Sequence, residues 1–123
     1  MISFEKFEIA DGIPIYLQII QHLKRGMVSG AIRNGDPLPS RRNLSALLGV
    51  NPNTVQKAYH LLEEEGLIQS QTGAKSFVCL DDAVLSTIRN ELLEGEIRSV
   101  VEGLKQAGLS KQEVLTLMDR YWE

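Results

Sequence analysis

The chain has 123 residues, of which 43% are hydrophobic and 24% charged, with a net charge of −3 and a single cysteine. This composition is typical of one small globular domain, or of one domain with an appendage, and the lone cysteine excludes an internal disulfide and a cysteine-based zinc site. No apolar run approaches the roughly 20 residues that span a bilayer, and no signal-peptide pattern opens the chain. We therefore expect a cytoplasmic protein without membrane association.

The charges are unevenly distributed along the chain. Residues 22–60 contain six basic residues and one acidic residue, whereas residues 81–123 contain nine acidic and five basic residues. Attraction to phosphate depends on the local field more than on the total charge. The first half is therefore compatible with nucleic-acid binding, and we expect the acidic second half to keep non-specific binding modest.

Residues 1–12 are predicted to form an extended arm, and their sequence indicates no function. The next segment, residues 14–30, predicts a helix because its apolar residues recur at helical spacing. That stripe is expected to form core and consists of Ile15, Tyr16, Ile19, Ile20, Leu23 and Met27. Residues 31–39 contain two prolines and an Asn-Gly pair, which indicate a loop.

Residues 37–66 predict two short helices joined by a tight turn. Ser40 is a suitable N-cap for the first helix, and Gly49 is suited to the left-handed end of that helix. One apolar face is predicted to hold Leu44, Leu47 and Leu48. Asn51 and Pro52 then restart a helix, as N-cap and first helical residue.

The second of these helices is predicted to have two different faces. Its buried stripe consists of Val55, Ala58, Tyr59 and Leu62, and its polar face of Asn53, Gln56, Lys57 and His60. Asparagine and glutamine can make paired hydrogen bonds to adenine, and lysine can reach guanine or phosphate. The pattern indicates a helix-turn-helix, whose second helix enters the DNA major groove, although an ordinary solvated face has the same composition.

Two β-prone runs, residues 67–71 and 76–80, follow the helix-turn-helix and flank a turn that contains Gly73. This arrangement predicts a hairpin, and a hairpin directly after a recognition helix is a wing. We expect Gly73 to provide a positive φ or a close backbone approach to DNA, the alternative being a turn glycine alone.

Two helices are predicted in residues 81–123. The first runs to about residue 107, and the second begins with a capping box made by Ser110 and Glu113. They carry more apolar surface than they can bury against each other, so they pack either on the first domain or on a second copy of the chain. We favour a homodimer whose interface contains Leu85, Ile88, Leu92, Ile97, Val100, Val101, Leu104, Leu117, Tyr121 and Trp122.

Several spaced blocks of sequence resemble the winged-helix domain of GntR-family bacterial transcription regulators. They are PIYLQI from residue 14, LPSRRNLS from residue 38, LGVNPNTVQKAY from residue 48 and LEEEGLI from residue 62. The short C-terminal part resembles the YtrA subfamily. The resemblance implies a mainly α fold with a small β-hairpin: a winged helix-turn-helix in residues 1–80 and a two-helix dimerisation segment in residues 81–123.

The resemblance also implies a sequence-specific regulator, usually a homodimeric repressor of an inverted-repeat operator in double-stranded DNA, often beside transporter genes. The implied DNA contacts are Arg42, the start of the recognition helix (Asn51, Pro52, Asn53, Thr54, Gln56 and Lys57), and Thr72 and Gly73 in the wing. Arg41 stands where the family usually has an apolar residue, and is either a further phosphate contact or solvated. The family's second wing glycine and the basic residue that usually precedes its wing are both missing here, and Lys75 is a candidate replacement for the lost charge.

Three other functions compete with this one. DNA binding without sequence preference depends on the total positive charge, and the net charge of −3 argues against it. A winged helix can serve as a protein–protein interaction module without sequence-specific DNA binding, although Arg42 beside the polar helix face argues against it. An enzyme is not supported, because no metal-ligand cluster, nucleophile–base pair or phosphate-binding glycine loop is recognisable. We expect no cofactor and no metal, and no residue pattern specifies a small-molecule effector.

Overall fold

The computed structural model describes residues 2–71 and 75–123 and is mostly helical with one antiparallel hairpin, as predicted. In chain order the elements are α1 (Ile15–Ser29), α2 (Arg41–Leu48), α3 (Pro52–Glu64), β1 (Ile68–Gln71), β2 (Lys75–Val78), α4 (Asp82–Gln106) and α5 (Lys111–Tyr121). The chain divides into two compact units, Met1–Arg89 and Asn90–Glu123, and the boundary between them lies within α4.

In the first unit, α3 packs against both α1 and α2. The most deeply buried large side chains come from all three helices and the hairpin: Tyr59, Ile19, Leu23, Met27, Leu44, Leu62, Leu67, Val55 and Val78. The N-terminal segment also belongs to this core. Phe4 is buried, its ring lies 4.5 Å from the ring of His22, and Nε2 of His22 is hydrogen-bonded to the carbonyl oxygen of Ser3 at 2.8 Å.

The predicted helix boundaries in the helix-turn-helix are confirmed by their caps. The Ser40 hydroxyl accepts from the Asn43 amide at 3.0 Å, and the Asn51 side chain accepts from the Asn53 amide at 2.8 Å. Gly49 ends α2 with a φ of 68°. The side chain thus satisfies a free amide in the first turn of each helix, which is why both begin where the sequence indicated.

The prediction that Leu47 shares a buried face with Leu44 is wrong, because Leu47 is 69% exposed. At 100° per residue, the buried stripe of α2 runs through Leu44, Ser45 and the half-buried Leu48. Leu47 lies on the opposite side of Leu44 from that stripe, and an eight-residue helix packed on one neighbour buries only a narrow stripe.

The hairpin has the register Ile68↔Val78, Gln69↔Phe77, Ser70↔Ser76 and Gln71↔Lys75. The end of the predicted loop before α2, residues 37–38, pairs with β2. Pro37 forms a bridge with Phe77, and the Leu38 amide donates to the Ser76 carbonyl at 2.9 Å. These bonds fix the entry to the helix-turn-helix to the base of the hairpin.

The second unit contains the C-terminal part of α4 and the whole of α5. The predicted capping box at the start of α5 is confirmed: Ser110 accepts from the Glu113 amide, and the Glu113 carboxylate accepts from the Ser110 amide. α4 is continuous through Gly95 and Gly103. Across the described ranges, no helix combines the length and apolarity needed to cross a membrane.

Candidate nucleic-acid interface

The exposed face of α3 is the first component of the site. Val55, Ala58, Tyr59 and Leu62 are buried against the core, as predicted. Asn53, Gln56 and Lys57 are exposed on the other side of the same helix, and Thr54 at its edge is half-buried. Three side chains that can hydrogen-bond to base edges or phosphates therefore project together from a helix whose opposite face is anchored in the core.

The N-terminus of α3 attracts anions through its helix dipole, although its first amide positions are already used. Pro52 occupies the first helical position and has no amide hydrogen, whereas the Asn53 amide is already taken by the Asn51 cap. The helix dipole favours a phosphate at this end. The Asn51 side-chain oxygen already accepts one hydrogen bond in the cap, so its NH₂ group is the part of this side chain that carries no role in the cap.

Lys57 is in contact with α1. Its Nζ atom lies 4.1 Å from the centroid of the Tyr16 ring, which comes from the first turn of α1. The two residues line an open groove of about 410 Å³ beside the start of α3, together with Ile15, Asn51, Asn53 and Thr54. Sequence reasoning assigned Tyr16 to the core and missed it as a neighbour of the α3 polar face.

Arg41 and Arg42 begin α2 but have different environments. Arg42 is exposed, whereas Arg41 is half-buried, with its guanidinium carbon 5.6 Å from the centroid of the Tyr59 ring. The Tyr59 hydroxyl donates to the Pro39 carbonyl at 2.7 Å. Burial raises the pKa of the Tyr59 phenol well above its usual range, and the nearby Arg41 charge opposes part of that rise.

The wing is described at its base only. Lys75 is exposed at the start of β2, opposite Gln71. Thr72 and Gly73, both predicted DNA contacts, lie outside the described residues. Lys75 is therefore the described wing residue whose charge is available to a ligand.

The residues predicted for the dimer interface do not share one environment. Ile88 is 4% exposed and belongs to the core of the first unit, and Leu85 is half-buried against that core. The chain itself covers Ile88 and partly covers Leu85, because the start of α4 packs on the winged domain. Those in the second unit are half-buried or exposed: Leu92, Ile97, Val100, Val101, Leu104, Leu117, Tyr121 and Trp122.

An apolar groove of about 620 Å³ lies in the second unit, between the end of α4 and α5. Its apolar lining includes Ile97, Val100, Val101, Leu104, Leu109, Val114, Leu115 and Met118, with Lys105 and Lys111 as the charged members.

In the described part of the chain no cluster of three or more His, Cys, Asp or Glu residues is placed to hold a metal ion. The side chains described above offer hydrogen bonding, cation–phosphate contact and apolar association.

Comparison with known proteins identifies this arrangement. The family described as bacterial regulatory proteins, gntR family, matches residues 15–78. The chain is 40% identical over 93 residues to the HTH-type transcriptional repressor YtrA of Bacillus subtilis (strain 168), covering 76% of this chain and 67% of that protein.

Solved structures show the same similarity. A GntR family transcriptional regulator from Listeria monocytogenes matches with a TM-score of 0.79 at 28% identity, covering 91% of this chain and 98% of that chain. The structure of AraR(DBD) in complex with operator ORX1 matches with a TM-score of 0.52 at 26% identity, covering 63% of this chain and 93% of that chain.

Proposed function

This chain belongs to the gntR family of bacterial regulatory proteins, and from that membership we propose that it is a homodimeric repressor of an inverted-repeat operator. As a member of that family it is a DNA-binding transcriptional regulator with a winged helix-turn-helix. The proposal adds the oligomeric state, the symmetry of the DNA site, the direction of regulation and the residues that carry each.

The observation that carries the DNA-binding proposal is the division of α3 into an anchored face and an exposed polar face. A helix held in this way can enter the major groove as a rigid reader. Gln56 is exposed near the middle of this face and is proposed as the principal base contact. Arg42, Lys57 and Lys75 are proposed as phosphate contacts at its margins.

The dimer proposal depends on the apolar groove of the second unit. Val100 and Val101 are 46% and 45% exposed, and Tyr121 and Trp122 are 75% and 82% exposed. Val100 and Val101 line the groove, whose surface is contiguous and apolar, and such a surface marks an association site in soluble proteins. A second copy of the chain is the proposed occupant because a two-fold dimer matches a two-fold operator. Ile88 is not part of the proposed interface because it is buried in the core of the first unit.

Repression is proposed because occupancy of a promoter by a dimer excludes the transcription machinery, and because the relative from Bacillus subtilis is named a repressor. Bacterial DNA lies in the cytoplasm, so we propose that the protein acts there. Transporter genes near its own gene are the proposed targets, since the YtrA-type proteins that it resembles often accompany such genes.

The first experiment measures binding to DNA by fluorescence anisotropy. The probe is the region upstream of the protein's own gene, with a consensus selected from random duplexes as a second probe and a scrambled duplex as control. We expect a preference of about 10³ or more over the scrambled duplex, with two chains bound per site. Gln56→Ala should cost about 1–3 kcal/mol and relax the preference at one base position. An unchanged preference profile would show that Gln56 is not a base contact.

The second experiment tests the dimer surface directly. Val101→Asp places a charge in the apolar groove, whereas Ser99→Asp places the same charge at an exposed position on the same helix and is the matched control. We expect light scattering to report monomers for the first variant and dimers for the second. Because Trp122 is the single tryptophan, its emission should shift to the red on dilution only if the exposed C-terminal end is part of the interface. Dimers for Val101→Asp would contradict the proposed interface.

A further inference from the structure

The contact between Lys57 and Tyr16 joins the polar face of α3 to the start of α1. The ammonium nitrogen lies 4.1 Å from the ring centroid, within the distance at which a cation is attracted to an aromatic face. Lys57 is exposed and Tyr16 is half-buried. One partner is thus held by the fold and the other is free to reach a ligand.

The fold fixes the position of the ring relative to α3. α1 packs along α3, and at the far end Nζ of Lys24 forms a 2.9 Å ion pair with Glu65, which directly follows α3. At the near end the Tyr16 ring forms one wall of the groove beside Asn53 and Thr54. The ring therefore stands at the α1 margin of the proposed DNA-binding face.

A free lysine side chain has a large rotamer entropy, which is lost when its ammonium group binds a single phosphate. Contact with an aromatic face restricts the lysine before DNA arrives. The ring attracts the charge without accepting all three hydrogens, so the ammonium group can still donate to a phosphate oxygen. The interaction therefore lowers the entropic cost of the contact and leaves its donors available.

We propose that Tyr16 is a positioning residue of the DNA interface, whose ring holds the Lys57 ammonium group at the α1 margin of α3 for contact with a backbone phosphate. The proposal deepens the proposed function, because it rests on the assignment of Lys57 to the DNA. It separates two properties of Tyr16, its aromatic face and its hydroxyl, and attributes the effect to the face.

The test measures the operator dissociation constant of the full chain over a series of KCl concentrations. The variants are Tyr16→Phe, Tyr16→Leu, Lys57→Ala and the Tyr16→Leu/Lys57→Ala double variant. Loss of one phosphate contact should weaken binding about ten-fold for Lys57→Ala and reduce the slope of log K against log salt by about 0.9. Tyr16→Leu should weaken binding about three-fold, and Tyr16→Phe should bind as the parent does, since it retains the ring.

The double variant decides whether the two residues act together. We expect it to bind no more weakly than Lys57→Ala alone, because the ring has no effect without the ammonium group. Thermal unfolding of every variant confirms that the fold is retained, and the conservative Tyr16→Phe variant serves as the matched control.

Each contrary result has a separate meaning. If Lys57→Ala weakens binding but Tyr16→Leu does not, the role of Tyr16 is refuted and that of Lys57 stands. If the losses of the two single variants add in the double variant, Tyr16 acts independently of Lys57 and the positioning role is refuted. If Lys57→Ala binds as the parent does, the assignment of Lys57 to DNA fails, and the inference fails with it.

Discussion

Replacing Tyr59 by phenylalanine should destabilise the fold at neutral pH and have little effect on its stability at strongly alkaline pH. The Tyr59 side chain is 1% exposed, and its hydroxyl donates to the Pro39 carbonyl at 2.7 Å, directly before the Ser40 cap of α2. The hydroxyl therefore ties α3 to the start of α2. Its removal leaves the Pro39 carbonyl without that donor, which should lower the free energy of unfolding by about 1–2 kcal/mol at pH 8.

The alkaline part of the prediction follows from the pKa of the phenol. In the unfolded chain a tyrosine ionises near pH 10, whereas burial in the folded chain raises the pKa of Tyr59 well above its usual range. Above about pH 10 the unfolded chain loses a proton that the folded chain keeps. The free energy of unfolding of the parent then falls by up to about 1.4 kcal/mol per pH unit from this group, a loss that Tyr59→Phe cannot show.

The stabilising effect of the hydroxyl is thus fully present below about pH 10 and is largely cancelled by about pH 11. Urea unfolding followed by circular dichroism at both pH values measures the free energy of unfolding of parent and variant. The contributions of all other titrating groups cancel in the difference between the two proteins. Tyr16→Phe is the control, since it removes a hydroxyl from a half-buried ring and should change stability by less than about 0.5 kcal/mol.

Two results would refute the reasoning. A parent–variant difference that stays constant from pH 8 to pH 11 would mean that the folded chain does not hold the phenol proton above its usual range. A variant that is more stable than the parent already at pH 8 would mean that the bond to the Pro39 carbonyl contributes nothing.

Two further predictions concern the helix-turn-helix. Leu44→Ala should lower the free energy of unfolding by about 2–5 kcal/mol because Leu44 is fully buried. Leu47→Ala on the same helix should lower it by less than about 0.5 kcal/mol because that side chain is 69% exposed. Urea unfolding compares the two variants, and equal losses would contradict the observed orientation of α2. Asn51→Ala should lower the free energy of unfolding by about 0.5–2 kcal/mol because the α3 cap is lost. Asn51→Asp should keep the stability, since its carboxylate still caps the helix, but should weaken operator binding because the carboxylate repels phosphate. An undiminished operator affinity of Asn51→Asp would show that Asn51 is not part of the interface.

Local sequence determined where the elements begin and end. Ser40, Asn51 and Ser110 each cap the helix that follows them, because a hydroxyl or amide oxygen satisfies a free amide a few residues away and needs no distant partner. The two β-prone runs and the turn glycine between them likewise predicted the hairpin. The polar face of α3 was legible for the same reason, since helical periodicity alone places Asn53, Gln56 and Lys57 together.

Tertiary structure decided how each element is rotated and which distant residues meet. Leu47 has the residue type and the spacing of a core leucine, yet α2 turns it outward. Ile88 continues the apolar stripe that was predicted for the dimer interface, yet it is turned into the core of the first unit. Tyr16 contacts Lys57 across 41 positions of sequence because α1 packs on α3. Periodicity fixes the relative angles of side chains within a helix, whereas the absolute orientation of the helix depends on packing against its neighbours, which no local pattern contains.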